Sequence, residues 1–164
     1  MDIRPQFIML LAALTSGCAA NTPRLSPAAP PPDRPVHVTS ASEVQRLERA
    51  IVPYVEEARR TYPDAKRRFQ AGLPSGHYFS VTVRLSDQQG RTEIVFMQVK
   101  DIADGVIRGV IANDVTAVAG YEAWQEHSVR EAEILDWTIL RPDGTEEGNV
   151  VGKFLDTWEQ APPE

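Results

Sequence analysis

Residues Glu131 to Asn149 read EAEILDWTILRPDGTEEGN. Ile134-Leu135 lead into Asp136-Trp137, Thr138-Ile139-Leu140 continue as a β-run, and Pro142-Asp143-Gly144 turns the chain. Gly148-Asn149 then opens the next run, Val150-Val151. An apolar strand with a Trp beside an Asp, followed by a Gly-rich turn, is the centre of a small β-domain. Alternation puts Trp137 on one strand face with Leu135 and Ile139. That face is the core side, and Asp136 points the other way, to solvent, a loop or a groove.

Strand signals continue upstream. Tyr78–Leu85, YFSVTVRL, alternates Phe79, Val81, Val83 and Leu85 against Ser80, Thr82 and Arg84, the pattern of a half-buried strand. Asp87–Gly90 is a turn. Glu93–Val99, EIVFMQV, is apolar enough to be buried on both faces. Asp104-Gly105 is a tight-hairpin signal. Val106–Ile111 returns as a third strand, in which Gly109 marks a bulge or a close backbone approach. Val115–Glu126 is irregular, with Tyr121 and Trp124 as anchors of a short helix or turn. His127–Val129, Ile134–Leu140 and Val150–Phe154 complete the set of strands.

Ahead of the strands lies a helical stretch. Ser40 and Glu43 fit a capping box. Val44, Leu47, Ile51, Tyr54 or Val55, Ala58 and Tyr62 recur at helical spacing. Pro53 and Pro63 each lack an N–H and crowd the preceding turn, so a kink or break is expected at both. Phe69 anchors the last piece and Gly72 ends it. Arg59, Arg60, Lys66, Arg67 and Arg68 form a basic cluster, read as a solvated face or as a dock for an anionic partner. The fold class is therefore α+β: an N-terminal helix, kinked or broken, on a small, mainly antiparallel sheet or partly open barrel.

The N-terminus reads differently. Phe7–Leu14, FIMLLAAL, follows Arg4 and is too short to span a bilayer. Leu14-Thr15-Ser16-Gly17-Cys18 resembles the lipobox of bacterial lipoproteins, although Thr15 stands where that pattern prefers Leu. The resemblance implies cleavage after Gly17 and lipid on Cys18, the only cysteine of the chain. Each buried methylene of such a lipid contributes about 0.8 kcal/mol of anchoring. By analogy with Gram-negative sorting, Ala19 implies the outer membrane, with the domain facing the periplasm. Ala19–Pro35 is proline-rich and without apolar periodicity. As polyproline II it is a semi-rigid tether reaching roughly 50 Å. The expected divisions are 1–17 signal peptide, 18–39 lipidated Cys and tether, 40–158 one α+β domain, and 159–164 a frayed tail.

Composition narrows function. Of 164 residues, 17 are basic and 23 acidic, for a net charge of −6. That weighs against nonspecific nucleic-acid binding, which needs a basic field. One cysteine forms no internal disulfide. His37, His77 and His127 lie too far apart in sequence for a close-spaced metal pair. No cofactor or metal motif is present, and no nucleophile elbow or phosphate loop. Neither Ser75 before His77 nor Ser128 after His127 makes a triad by sequence adjacency.

Several pieces together resemble the YegJ-like family of bacterial proteins, a domain of unknown function (number 2314). They are Glu93 with Phe96, Asp104-Gly105, Ile107-Arg108-Gly109-Val110-Ile111, Asn113, Ile134-Leu135-Asp136-Trp137, and Gly148-Asn149, over roughly Tyr54 to Phe154. Phe96 stands where the family tends to have Trp, and Val115 follows Asn113-Asp114 where it tends to have Pro. The resemblance implies a compact α+β domain and carries no activity to transfer. The polar residues that could converge are Glu93, Asn113, His127 and Asp136. Trp137, Gly109, Gly148 and Asn149 are expected to be structural. The expected function is a non-catalytic binding or scaffold module, lipid-anchored in the cell envelope and acting on a protein partner there. The alternative is an envelope hydrolase using His127 with Asp136 or Glu93.

Overall fold

In the computed structural model the described residues are 41–158, with side chains from residue 44. The signal segment, Cys18, the tether, Ser40 and the tail 159–164 lie outside them, and with Ser40 and the Glu43 side chain so does the expected capping box. Helix α1 spans Ala41–Ala71. Strands follow as β1 (Tyr78–Ser86), β2 (Thr92–Ala103), β3 (Val106–Ile111), β4 (Glu126–Arg130), β5 (Asp136–Leu140) and β6 (Glu146–Gly148), and then helix α2 (Val150–Trp158). They form one open antiparallel sheet in the order β4-β3-β2-β1-β5-β6. The α+β expectation holds, with an open sheet rather than a closed barrel.

α1 runs unbroken through Pro53 and Pro63, contrary to the expected interruptions. The reason lies in its phase. Leu47, Ile51, Val55, Ala58, Tyr62 and Ala65 are buried at spacings of three and four, while both prolines fall on the exposed side. Their missing N–H groups face water, and burial of the opposite stripe carries the helix across. Tyr54, the other option at its turn, is exposed, and Val55 takes the core position. The basic cluster is internally engaged. Arg60 pairs with Glu57, Lys66 with Glu131, Arg67 with Asp64 and Arg68 with Glu147, and Arg59 Nε donates to Ile134 C=O.

β1 is the central strand. Its Val81 sits beside Met97 of β2 on one side and Trp137 of β5 on the other. Phe79, Val81, Val83, Leu85, Val95, Met97, Val99, Trp137 and Ile139 make one buried face, on which α1 lays Ala58, Tyr62 and Ala65. β2 is not buried on both faces: Val95, Met97 and Val99 are, while Ile94, Phe96 and Gln98 are half-exposed. The β2–β3 turn has Asp104 at φ 54° and Gly105 at φ 75°, the two left-handed positions of a primed hairpin turn. A second cluster joins Leu47, Ile51 and Val55 of α1 to Leu135 and to Val151 of α2. Leu135 therefore leaves the Trp137 face on which strict alternation puts it, because β5 begins only at Asp136.

Val150–Phe154 is helix, not strand. Val151, Phe154, Leu155 and Trp158 meet α1 at helical spacing, and Tyr54 stacks on Phe154 with ring centroids 4.2 Å apart. The β-branched Val150-Val151 pair reads as strand only while that spacing is ignored. The β3–β4 connection, 112–125, holds no helix. Tyr121 packs on the core there, but Trp124 is 49% exposed and anchors nothing.

Candidate functional site

The four polar residues singled out by sequence do not meet in one place. His127 pairs with Gly109, which pairs with Val99, so its side chain takes the core face. Asp136 pairs with Thr82, which pairs with Phe96, on the opposite face. Strands β3, β2 and β1 stand between His127 and Asp136. A proton cannot pass directly between two groups on opposite faces with three strands intervening.

Each of the other three is held by main-chain amides. Glu93, at the start of β2, accepts N–H groups from Thr116 (3.0 Å), Ala117 (2.7 Å) and Val118 (3.3 Å). Asp87 extends the same row by accepting Ala119 N–H at 3.2 Å. The two carboxylates pin the returning loop along the part of β2 that β3 leaves uncovered. Asn113 Oδ1 accepts Phe96 N–H at 2.7 Å, standing in for the ladder just past the end of β3. Its Nδ2 donates to Asp114 C=O at 2.9 Å.

Asp136 is fully buried. Its Oδ1 accepts Trp137 N–H at 2.8 Å and its Oδ2 accepts Val151 N–H at 2.6 Å. The second bond satisfies a first-turn amide of α2, so a carboxylate on a strand does the work of a helix cap. The preceding turn suits this placement. Gly148 (φ 78°) and Asn149 (φ 52°) are both left-handed, and Asn149 N–H donates to Trp137 C=O at 2.8 Å. Asn is among the few residues that take this conformation at low cost. Thr138 Oγ1 and Asn149 Oδ1 are buried and have no hydrogen-bond partner among the described residues.

Burial pushes Asp136 up to about 6, against the pull of the Val151 and Trp137 amides. In the unfolded chain it titrates near the ordinary 3.8. Between those values the fold binds more protons than the unfolded chain, so this group makes the fold less stable as pH rises from about 4 to about 6. The full difference is about 3 kcal/mol, present below the lower value and lost above the upper. Asp136→Asn should remove that slope in urea titrations across the window while keeping the fold. At neutral pH the about 1–2 kcal/mol lost where one amide faces an NH₂ group is offset by removal of the buried charge, so the variant should be no less stable than wild type there. An unchanged slope would mean that Asp136 is not its source.

His127 sits on β4 with its ring edge-on to Tyr121, centroids 5.6 Å apart. Burial lowers its pKa, which favours the neutral ring. Among the described residues, no group of three or more His, Cys, Asp or Glu is placed to hold a metal. No helix among them is long and apolar enough to cross a membrane.

Two surface features fall outside the sequence expectations: the exposure of Trp124, expected to be an anchor, and an aromatic group around Trp158. Trp124, half-exposed, is held at φ 66°, a left-handed conformation rare for a large side chain. Tyr54, Phe154 and Trp158 form an aromatic group, with the Arg46 guanidinium 4.8 Å from the Trp158 ring. Helical spacing of Val151, Phe154, Leu155 and Trp158 is the signal that could have found the second. Nothing local in the sequence announces the first.

The chain is thus an open-sheet α+β protein in which Glu93, Asn113 and Asp136 hold loops and a helix in place. It is similar to "Uncharacterized protein YegJ" of Escherichia coli (strain K12), 31% identical over 80 residues. The match takes in 49% of this chain and 52% of the relative, so the chain spans about half the length of the curated relative it matches. No family model and no solved structure matches.

Proposed function

We propose that this chain is a non-catalytic binding or scaffold module, held in the cell envelope by lipid on Cys18 and lifted from the membrane by the proline-rich tether. One observation carries the non-catalytic reading: every carboxylate in the candidate set is bonded to backbone N–H groups of its own fold. Asp136 is thereby fully buried under α2 and Glu93 is turned to the 116–118 amides, neither aimed at a substrate. The YegJ-like resemblance agrees with the fold, and the numbered domain family is part of this reading. Hydrolysis of an envelope substrate, abolished by His127→Ala in a folded protein, would overturn it.

The anchor is supported by the apolar run and small residues before the lone cysteine. Detergent phase partitioning of cells expressing wild type and Cys18→Ser tests it. The wild type should enter the detergent phase and the variant the aqueous phase. Equal partition of the two would remove the anchor. In-cell cross-linking of the lipidated protein would then identify what the domain holds.

A further inference from the structure

β4 is a terminal strand of the sheet, and its bonds fix which of its backbone groups are in use. Ile111 N–H donates to Gln125 C=O at 3.0 Å, and Glu131 N–H donates to Gly105 C=O at 2.9 Å. Antiparallel alternation then turns residues 125, 127, 129 and 131 toward β3, and Glu126, Ser128 and Arg130 outward. The Arg130 N–H is taken by Glu133 at 3.1 Å. Among the described residues, what remains open is the N–H and C=O of Glu126 and of Ser128 and the C=O of Arg130, a template for another strand. β4 contains no proline, and its charged side chains, Glu126 and Arg130, are of opposite sign.

Trp124 stands just before this edge. Its N–H is fixed to Ile111 C=O at 2.8 Å, which holds the residue in its left-handed conformation with the ring half-exposed. Such strain persists only where the surroundings over-determine it.

We propose that β4 pairs antiparallel with β4 of a second copy about a two-fold axis at His127, joining two six-stranded sheets into one. In this register Glu126 and Ser128 of each copy lie opposite Ser128 and Glu126 of the other. The open N–H and C=O of Glu126 and Ser128 on each copy then find partners, with four new backbone hydrogen bonds. The same register brings Trp124, half-exposed, to the end of the other copy's β4, where Arg130 is paired with Glu133 at 2.6 Å and its side chain is 76% exposed. A register centred one residue on, at Ser128, needs the Arg130 N–H that Glu133 already holds. Two-fold pairing is closed. The opposite edge of the sheet, β6, is only three residues long and runs straight into α2, so growth stops at two.

The test uses the full chain in mild detergent, in a Cys18→Ser background so that one introduced thiol is the only one. His127→Cys places two thiols in a close, non-hydrogen-bonded pair across the axis. Mild oxidation should link it as a dimer in high yield, while Val129→Cys, which faces Gln125 of the other copy, should link poorly. Ser128→Pro removes an outward N–H without touching the bonds to β3. It should weaken self-association in sedimentation equilibrium by about tenfold or more, with circular dichroism and melting unchanged. Should the proline variant melt early, the cross-linking pattern decides alone. A wild-type chain that stays monomeric, with His127→Cys linking no better than Val129→Cys, overturns the proposal. So does a dimer that a folded Ser128→Pro leaves intact.

Discussion

Trp137→Ala is expected to destabilise the domain by about 3–5 kcal/mol, a large part of the margin of a domain this size. Trp137 is 5% exposed and stands where three elements meet. Its ring lies beside Phe79, centroids 6.5 Å apart, and its Nε1–H donates to Ala58 C=O at 3.1 Å and Thr61 Oγ1 at 3.0 Å. Ala58 has no bulk to spare the helix from that contact, so the indole sets how closely α1 approaches the sheet. Removing the ring leaves a cavity and takes one donor from Ala58 C=O and from the half-buried Thr61 Oγ1. Trp137→Phe keeps most of the volume and loses only the N–H, so it should cost about 1–2 kcal/mol. Chemical denaturation of both variants measures the two costs. A Trp137→Ala protein as stable as wild type would make this residue a surface recognition group instead.

Gly148→Ala should be nearly as damaging, at about 2–5 kcal/mol, for two separable reasons. Its φ of 78° is left-handed, and a Cβ there would lie 2.2 Å from Trp137 C=O and 2.8 Å from the indole Cε3. Gly144, at φ 81°, has nothing among the described residues within 4 Å of where a Cβ would lie. Gly144→Ala therefore reports the backbone strain alone, about 1–2 kcal/mol. The excess of Gly148→Ala over Gly144→Ala in thermal melts is the steric part. Equal costs would show that β6 can move away from β5 freely.

The parts of the fold legible in the sequence are those specified by short-range chemistry. Phe79, Val81, Val83 and Leu85 alternate without error, and Asp104-Gly105 names its own turn. The misreadings arise where distant contacts decide. Proline chemistry predicts breaks in α1, but a buried stripe from Leu47 to Ala65 outweighs two solvent-facing prolines. Val150-Val151 looks like a strand because its capping partner, Asp136, lies on another element. The candidate site shows the same limit. Each polar residue was visible as unusual, but whether Glu93 binds substrate or pins the 116–118 amides depends on where a loop returns. His127 and Asp136 are close in the chain and far apart in the sheet, because β5 crosses back to pair with β1 rather than with β4.

That crossing has a consequence for how the molecule is assembled. The first four strands are neighbours in both sequence and space, so they can zip together in order as successive hairpins. The fifth cannot join until the chain doubles back over them to reach β1, and only then do Trp137 and Ile139 reach the face shared with α1. Distant pairing of this kind is slow and comes late. The last twenty-five or so described residues act as a latch: until they arrive, one edge of β1 is bare and the helix has an unfinished surface to rest on. A nascent chain stopped before Ile134 holds hairpins and a helix but no closed core, and a protease that clips the turn at Pro142–Thr145 cuts the segment that draws α1 and the sheet together.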